Sequence, residues 1–393
     1  MTLHQLLDAI QTSSVIRLSV ELDNLAGDGL VCPPTYAPAN KSEPPHIAFR
    51  KAWIDGQPRD VVVLDSPQSQ SNRIETALLA ARRAGRIQYP DIEITFPDLP
   101  NEPVYSVLQL SHRIYDAVMR AVRTADGTPF FKSNIGHELV RCRLADATAL
   151  FRHAPVTLVL GAWDSNGGGG PMAAKIPRLL TSEIVGLDAQ PVDLSATKFD
   201  LMDIRSHAAE LIRTGDAVER FKIKVSGKEK SEKPSTFGFG NVPATAVPRA
   251  AVINGALQTS VLSCTGLRQI AFGVGYDKAS QSRNNAGRAV LAALSLYGLL
   301  AQNAAGYRLR SRCELMPRDG GSLELIGRTL KEVSQVALTT DAAHELLLEA
   351  LEHARSHDLE FRPEVLQLQA DARLTELVRR SRDAVATGNV EEE

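Results

Sequence analysis

Hydroxyl, amide and guanidinium side chains crowd one short segment, which lies between a β-branched run and a periodic apolar run. They are Ser66, Gln68, Ser69, Gln70, Ser71, Asn72 and Arg73. Hydroxyl and amide groups donate and accept hydrogen bonds, and the planar arginine fork suits phosphate. One interpretation is a helix N-cap with polar neighbours facing solvent. The other is a site for phosphate and sugar groups, because a single cap needs only one serine.

A second motif, SHRIYDAVMR, spans residues 111–120. On a helix, His112 and Asp116 would share one face, and such a pair can orient a general base. The motif holds no metal-ligand cluster and no linked nucleophile, so it does not by itself predict catalysis. Two other interpretations stay open: a hydrogen-bonded pair that fixes the helix, and a nucleic-acid contact through His112 and Arg113.

Four consecutive glycines lie in the segment Trp163–Lys175, WDSNGGGGPMAAK. A nucleotide-binding P-loop would end in Gly-Lys-Ser/Thr, but here Lys175 precedes Ile176 and Pro177. The sequence therefore predicts no nucleoside triphosphate site. It allows either a loop whose backbone approaches phosphate or a plain surface loop. Trp163 is a candidate to stack on a base, with a core position as the alternative.

Basic residues elsewhere are weaker candidates for nucleic-acid binding. The lysine-rich segment Arg220–Asn241 reads as a mobile arm or hairpin, and solvated surface is the alternative. The polar segment Tyr276–Arg288 leads into an apolar helix, whose start attracts phosphate. The candidates in these and neighbouring segments are Lys132, Lys175, Arg178, Lys222, Lys224, Lys278, Arg283 and Arg288.

Composition describes a soluble globular chain of 393 residues with a net charge of −2. From Asp341 onward there are 13 acidic and 6 basic residues, so the remainder carries 38 basic against 33 acidic residues. An acidic tail thus masks a mildly basic body, which is compatible with a nucleic-acid partner. The four cysteines form no CxxC pair, so neither zinc nor a disulfide framework is predicted. The sequence likewise predicts no other cofactor.

Hydropathy and the start of the chain predict a cytoplasmic protein without a membrane partner. The longest apolar stretch, Ala289–Ala301, is too short to cross a bilayer. The first residues lack the basic region and the apolar run of a secretory signal.

Periodicity indicates a mixture of strands and helices in irregular order, hence an α+β fold. Predicted strands are Ser14–Leu22, Arg59–Leu64, Val156–Trp163, Ala271–Gly275, Tyr307–Leu315 and Ser322–Ile326. Predicted helices are Asn72–Arg86, Leu108–Arg123, Asn254–Ile270, Asn285–Gln302, Ala342–His357 and Pro363–Ala386. We expect one elaborated domain over residues 1–340, with inserts at about 31–45 and 220–241. An acidic helical appendage should follow over residues 341–393.

Several long motifs resemble a known family. They are LDSPQSQSNRIETALL, LSHRIYDAVMR, ALFRHAPVTLVLGAWDS, KIPRLLTSEIVGLDA, ALQTSVLSCTGLRQIAFG and GYRLRSRCELMP. Together they resemble the CRISPR-associated backbone subunit of the type I-U (type I-G) Cascade complex, the Cas-seven group of the RAMP superfamily, often called the Csb-one family. The resemblance extends to about Gly327, and the tail from Arg328 carries none of these motifs.

This resemblance implies a modified RRM-like (ferredoxin-like) palm with inserted loops and a thumb. It also implies a non-enzymatic subunit that polymerises along guide RNA (crRNA) and presents it to a target DNA strand in antiviral defence. The resemblance also implies that the sugar-phosphate backbone of the RNA is contacted by Gln68, Ser69, Asn72 and Arg73. Such contacts read no bases. Implied partners are further copies, the large subunit, the fused guide-processing subunit and a helicase-nuclease recruited after target binding. The alternative function is an RNase that processes the guide precursor, with His112, His137 and His153 as dispersed candidates.

Overall fold

The structure is a computed structural model that describes residues 1–38, 40, 45–164, 175–194, 200–205, 207–215, 219–241, 247–273, 278–362 and 364–387. The chain forms two compact units. The first comprises Met1–Gln190 and Ala251–Asp371, and the second comprises Pro191–Ala250 and Ala372–Glu393. The helix that begins at Thr340 lies in the first unit.

The α-helices of the described residues are α1 (Leu3–Thr12), α2 (Pro67–Arg83), α3 (Asn134–Arg141), α4 (Thr148–His153), α5 (Pro155–Leu160), α6 (Cys264–Leu267), α7 (Lys278–Ala304), α8 (Thr340–Arg355) and α9 (Ala372–Thr387). Short 3₁₀ segments are Val107–Gln109, Arg113–Tyr115, Ala117–Ala121, Phe130–Lys132 and Pro234–Phe237.

The strands are β1 (Val15–Asn24), β2 (Leu30–Val31), β3 (Thr35–Tyr36), β4 (His46–Ile47), β5 (Phe49–Ile54), β6 (Gln57–Asp65), β7 (Ile92–Thr95), β8 (Val104–Ser106), β9 (Val122–Arg123), β10 (Ala162–Trp163), β11 (Lys175–Ile176), β12 (Leu180–Leu187), β13 (Gln190–Leu194), β14 (Leu211–Arg213), β15 (Phe221–Ile223), β16 (Val247–Val252), β17 (Ala256–Ser263), β18 (Tyr307–Arg310), β19 (Cys313–Pro317), β20 (Ser322–Ile326), β21 (Val333–Val336) and β22 (Leu366–Ala370).

An antiparallel sheet of nine strands organises the first unit, in the order β18-β19-β1-β17-β12-β6-β5, with β20 on β1 and β21 on β20. β1 pairs with β17 from Val15 opposite Ser263 to Leu22 opposite Ala256. Buried and less buried side chains alternate along most of β1, as expected of a strand with one face in a core. This arrangement confirms the predicted mixed α+β class.

Helix α7 forms the centre of the core and packs against α1, α2, α5 and α8. Its middle, Ala289–Leu300, is buried on all sides, which explains why its sequence is apolar almost without interruption. A Cβ atom on Gly298 would lie 3.0 Å from the Leu78 side chain of α2. Glycine therefore allows these two helices to approach closely.

Two predicted elements have the wrong secondary structure. The predicted helix Asn254–Ile270 is strand β17 followed by the short helix α6, because the buried alternate positions of β17 include Gln258 and Ser260 and so conceal the period of two. The predicted strand Val156–Trp163 is helix α5 followed by the two-residue strand β10. All six residues of α5 are buried, and a short apolar run cannot distinguish the two structures.

Other predicted elements are replaced, divided or absent. In place of a helix over Leu108–Arg123 there are 3₁₀ segments and β9, with Arg113 in the left-handed region at a φ of 51°. A turn with Arg312 at a φ of 58° divides the predicted strand Tyr307–Leu315 into β18 and β19. The predicted helix Pro363–Ala386 is β22 followed by α9. The described part of Ala271–Gly275, residues 271–273, forms no strand.

The second unit contains the lysine-rich segment. β14 and β15 pair antiparallel, with Ile212 opposite Lys222, and Leu211 also bridges to Glu232. The predicted hairpin in Arg220–Asn241 thus begins in β15, but its partner strand precedes the predicted segment. The proline-rich insert at 31–45 contains the short strand β3, and residues 39 and 41–44 lie outside the described part.

Candidate nucleic-acid interface

Helix α2 begins directly where β6 ends. The Ser66 side chain accepts a hydrogen bond from the Ser69 N–H at 3.4 Å, and Pro67 occupies the first turn. Proline at this position has the fixed φ of a helix start and lacks an N–H that would otherwise have no partner. The N-cap interpretation of Ser66 therefore accounts for one of the polar residues at this junction.

Gln70 is fully buried at the centre of a polar network. Its Oε1 accepts hydrogen bonds from Ser182 Oγ at 2.7 Å, Gln258 Nε2 at 3.0 Å and Gln302 Nε2 at 2.8 Å. Its Nε2 donates to Asp65 Oδ2 at 2.6 Å. The network joins α2, β6, β12, β17 and α7, so Gln70 fixes the helix start against the sheet.

A cleft of about 210 Å³ opens beside the first turns of α2, and we call it the α2 cleft. Its polar lining consists of Thr35, Tyr36, Asp65, Ser66, Ser69, Arg73 and Arg310. Arg73 Nε donates to Asp65 Oδ2 at 3.0 Å, while 33% of the Arg73 side chain remains exposed. Because two guanidinium groups accompany one carboxylate, the lining carries a net positive charge beside a helix N-terminus.

Tyr36 contributes a neutral hydroxyl to this cleft. Partial burial raises the pKa of Tyr36, the negative charges of Glu183 and Asp65 raise that pKa further, and Arg310 opposes the change. The phenol thus keeps its proton at physiological pH and can donate a hydrogen bond. A phosphate would meet the arginines, hydroxyl groups and the α2 N-terminus together.

The structure brings only part of the predicted α2 set into this cleft. Ser69 and Arg73, four residues apart, line it together, whereas Gln68 is exposed and Asn72 lines a separate cleft of about 520 Å³ with Ser111. Arg310, at the end of β18, was not predicted as a site residue. It reaches the cleft through sheet topology, which its local sequence does not reveal.

Arg113 is buried, with 6% of its surface exposed. Its Nε forms an ion pair with Glu75 at 2.5 Å, and its Nη1 donates to the carbonyl of Gly161 at 2.6 Å. Burial raises the pKa of Glu75, and Arg113 acts in the opposite direction. Because its Nε and Nη1 groups both have internal partners, Arg113 stabilises the fold. His112, beside it, is exposed.

Backbone pairing and side-chain hydrogen bonds fix the base of the glycine-rich segment. Trp163 of β10 pairs with Lys175 of β11. Arg178 Nε donates to the Leu160 carbonyl at 3.3 Å, and Arg120 Nη2 donates to Asp164 Oδ1 at 2.7 Å. Residues 165–174 lie outside the described part. Trp163 is 55% exposed, so it is not a core residue.

The remaining candidates lie apart from the α2 cleft. Lys132 is exposed. Arg288 donates through Nε to the Ile270 carbonyl at 2.8 Å and through Nη2 to the Arg268 carbonyl at 2.8 Å, and burial lowers its pKa. Arg283 is half-buried in α7, whereas the Lys278 side chain lies outside the described part.

In the second unit, two lysines of the lysine-rich segment have acidic partners. Lys224 pairs with Glu210 at 2.9 Å and Lys222 pairs with Glu229 at 3.4 Å. Phe221 packs against Phe237 and Phe239, with ring centroids 5.6 and 5.1 Å apart. These phenylalanines therefore stabilise the hairpin locally.

Among the described residues, no group of three or more His, Cys, Asp or Glu side chains could hold a metal ion. His112 and His137 are exposed, whereas His153 is buried, and that burial lowers the pKa of its imidazole. Over the same described ranges, no helix combines the length and apolar character of a membrane span.

Comparison with known proteins gives one family match. Residues 16–191, slightly less than half of the 393 residues, match the model of a family described as CRISPR-associated protein GSU0053. No curated protein matches the chain. The solved structure titled "Crystal structure of Thermofilum pendens Csc2" is 11% identical, with a TM-score of 0.27 over 97% of this chain and 80% of that chain. A score this low does not establish a common fold, whereas the family match confirms a resemblance to CRISPR-associated proteins over residues 16–191.

Proposed function

We propose that this CRISPR-associated chain is a guide-RNA-binding backbone subunit of a type I Cascade complex, of the Cas-seven group. In this proposal the nine-stranded sheet and its helices form a RAMP palm of modified RRM-like design. Copies of the chain line up on guide RNA and present it for pairing with the target DNA strand. Its other partners are the large subunit, the fused guide-processing subunit and the recruited helicase-nuclease, all in the cytoplasm.

The α2 cleft is the observation that carries this proposal. It joins two arginines, two serine hydroxyls, a neutral phenol and the N-terminus of a 17-residue helix. Helix N-termini and arginine forks both favour phosphate oxygens. None of these groups needs a particular base, which suits a guide of arbitrary sequence.

Exposed groups outside the cleft extend the proposed contact surface. Trp163 and Lys175 stand at the base of the glycine-rich segment, and His112 is accessible beside the buried Arg113. An aromatic ring can stack on any base. We assign Trp163 to stacking, and Lys175 and His112 to the RNA backbone.

Equilibrium binding of purified full chain to two single-stranded RNAs of unrelated sequence tests the function. We expect similar dissociation constants for both, because phosphate contacts carry no sequence information. Duplex DNA of equal length should bind more weakly, since its rigid stacked bases cannot be held in the same way. Absence of RNA binding, or strong preference for one sequence, would contradict the proposal.

We also propose that the chain is not an enzyme, in contrast to the alternative of an RNase that processes the guide precursor. Its histidine candidates lie in separate motifs, and Arg113, the neighbour of His112, is committed to Glu75. Incubation of pure protein with precursor RNA should leave the RNA intact. Cleavage that disappears in a His112→Ala protein would establish the RNase instead.

A further inference from the structure

The nine-stranded sheet is open, and its two ends differ. β5 forms one end and pairs only with β6 among the described strands. At the other end β21 pairs only with β20, beside β18 on β19. Unpaired strand edges present a row of N–H and C=O groups that another strand can join.

The turn between β5 and β6 determines which groups of β5 face outward. Asp55 and Gly56, with φ angles of 52° and 74°, form a two-residue turn. The two residues that flank such a turn, here Ile54 and Gln57, form a hydrogen-bonded pair. Hydrogen-bonded pairs then alternate along the ladder, and the Val63 N–H does donate to Ala48 O at 3.0 Å. The free backbone groups therefore belong to Phe49, Lys51 and Trp53. Pro58 lies opposite Trp53 in a pair that is not hydrogen-bonded, so its lack of an N–H costs no bond to β5.

These three residues also place their side chains on one face of β5. Trp53 is 78% exposed and Phe49 is 37% exposed. Lys51 pairs with Asp60 at 2.8 Å and the neighbouring Arg50 pairs with Glu183. Because these basic groups have acidic partners, the edge offers little surplus charge to a nucleic acid. It suits an apolar β-strand.

β21 has the matching properties. The Gly327 N–H donates to Glu332 O at 2.7 Å, and by the same alternation the backbone groups of Val333 and Gln335 face outward. Charged residues and proline commonly protect strand edges from pairing. β21 contains neither. Val333 is 41% exposed and Leu330, just before the strand, is 80% exposed.

We propose that edge β5 of one copy pairs with edge β21 of the next copy, an inference that rests on the proposed assembly along RNA. The two edges lie at opposite ends of one sheet, so the contact is head to tail and need not close into a ring. β18 is the less suitable partner, because its exposed Arg310 lines the α2 cleft, which the proposed function assigns to RNA. RNA that binds both neighbours raises their effective concentration.

Proline substitutions test the contact at single backbone groups. Lys51→Pro and Gln335→Pro each remove an outward N–H while leaving the inner ladder paired. Lys51→Ala and Gln335→Ala retain that N–H and serve as controls. Sedimentation of full chain without RNA should show self-association of wild type and both alanine variants. Each proline variant alone should associate at least about tenfold more weakly, since a few backbone hydrogen bonds are lost.

Mixing the two proline variants distinguishes head-to-tail pairing from symmetric pairing. Lys51→Pro retains an intact β21 edge, and Gln335→Pro retains an intact β5 edge. An equimolar mixture should therefore form a one-to-one dimer that grows no further. Dimers of Gln335→Pro alone, or association unchanged in both proline variants, would overturn the proposal. If circular dichroism shows that a proline variant is unfolded, Trp53→Glu and Val333→Glu, which keep every backbone N–H, replace the pair with the same expected results.

Binding of a short RNA that accommodates one copy separates this inference from the proposed function. The proline variants should bind it with wild-type affinity. If wild type fails to bind RNA, the proposed function is wrong. If RNA binding is intact but the edges do not pair, only the edge contact is wrong.

Discussion

Arg113 Nη1 donates a 2.6 Å hydrogen bond to the carbonyl oxygen of Gly161, which precedes the glycine-rich segment. The same guanidinium pairs with the buried carboxylate of Glu75. Arg113 therefore joins three separate parts of the chain: its own 3₁₀ turn, α2 and the base of the glycine-rich segment. A residue whose motif suggests nucleic-acid contact is instead an internal cross-link.

Arg113→Ala should lower the free energy of unfolding by about 3–5 kcal/mol, because it leaves the Glu75 carboxylate buried without its partner. Arg59→Ala is the matched control, since the side chains of Arg59 and its partner Asp188 are 30% and 45% exposed, and we expect it to cost about 1 kcal/mol or less. Urea denaturation of both proteins measures the difference. Equal losses would show that Arg113 is not the internal cross-link described.

Gln70→Met should destabilise the fold by about 2 kcal/mol or more, because buried donors on Ser182, Gln258 and Gln302 lose their common acceptor. Gln68→Met, two residues earlier on the exposed side of α2, should stay within about 0.5 kcal/mol of wild type. Chemical denaturation again provides the measurement. A Gln70→Met protein as stable as the Gln68 control would contradict the role of Gln70 as centre of the network.

Asp91 should make stability depend on pH. Its Oδ1 accepts hydrogen bonds from the Ile92 N–H and Ser106 Oγ, whereas no described residue partners its Oδ2. Burial raises the pKa of Asp91 from 3.8 to about 6. The folded state therefore holds this proton more tightly than the unfolded state, and the resulting stability is lost as pH rises from about 4 through about 6.

Asp91→Asn removes this titration. Relative to wild type, the variant should gain about 2 kcal/mol of unfolding free energy between pH 4.5 and pH 7.5. Asp98→Asn, on the surface, should show a much smaller change between the two pH values. A constant difference between wild type and Asp91→Asn at both pH values would show that Asp91 does not hold the proton.

The sequence predicts elements well where the periodicity is clear. Helix α2, helix α7 and strand β1 are confirmed because their apolar spacing reflects one buried face or complete burial. The sequence of β17 wrongly predicts a helix because Gln258 and Ser260 occupy buried positions usually held by apolar residues. The Gln70 network provides hydrogen-bond partners for both side chains. Its members are distant in sequence, so the local sequence pattern does not reveal it.

The candidate site was predictable only in part, for the same reason. Ser69 and Arg73 are four residues apart on one helix, so their position on the same helix face follows from local geometry. Arg310 joins them through the order of strands in the sheet, and the left-handed backbone at Arg113 turns that residue into the core. Neither effect can be derived from spacing along the chain.

The salt dependence of RNA binding tests the phosphate role of the α2 cleft most directly. Arg73→Ala and Arg310→Ala should each weaken binding to unrelated single-stranded RNAs by similar factors. Each should also reduce the slope of log affinity against log salt by roughly 0.7. Arg308→Ala is the control, because Arg308 is on the same strand as Arg310, is 88% exposed and pairs with Glu314 at 3.5 Å; its slope should equal that of wild type. Unchanged slopes in both cleft variants, or a change in sequence preference, would contradict a phosphate-binding cleft.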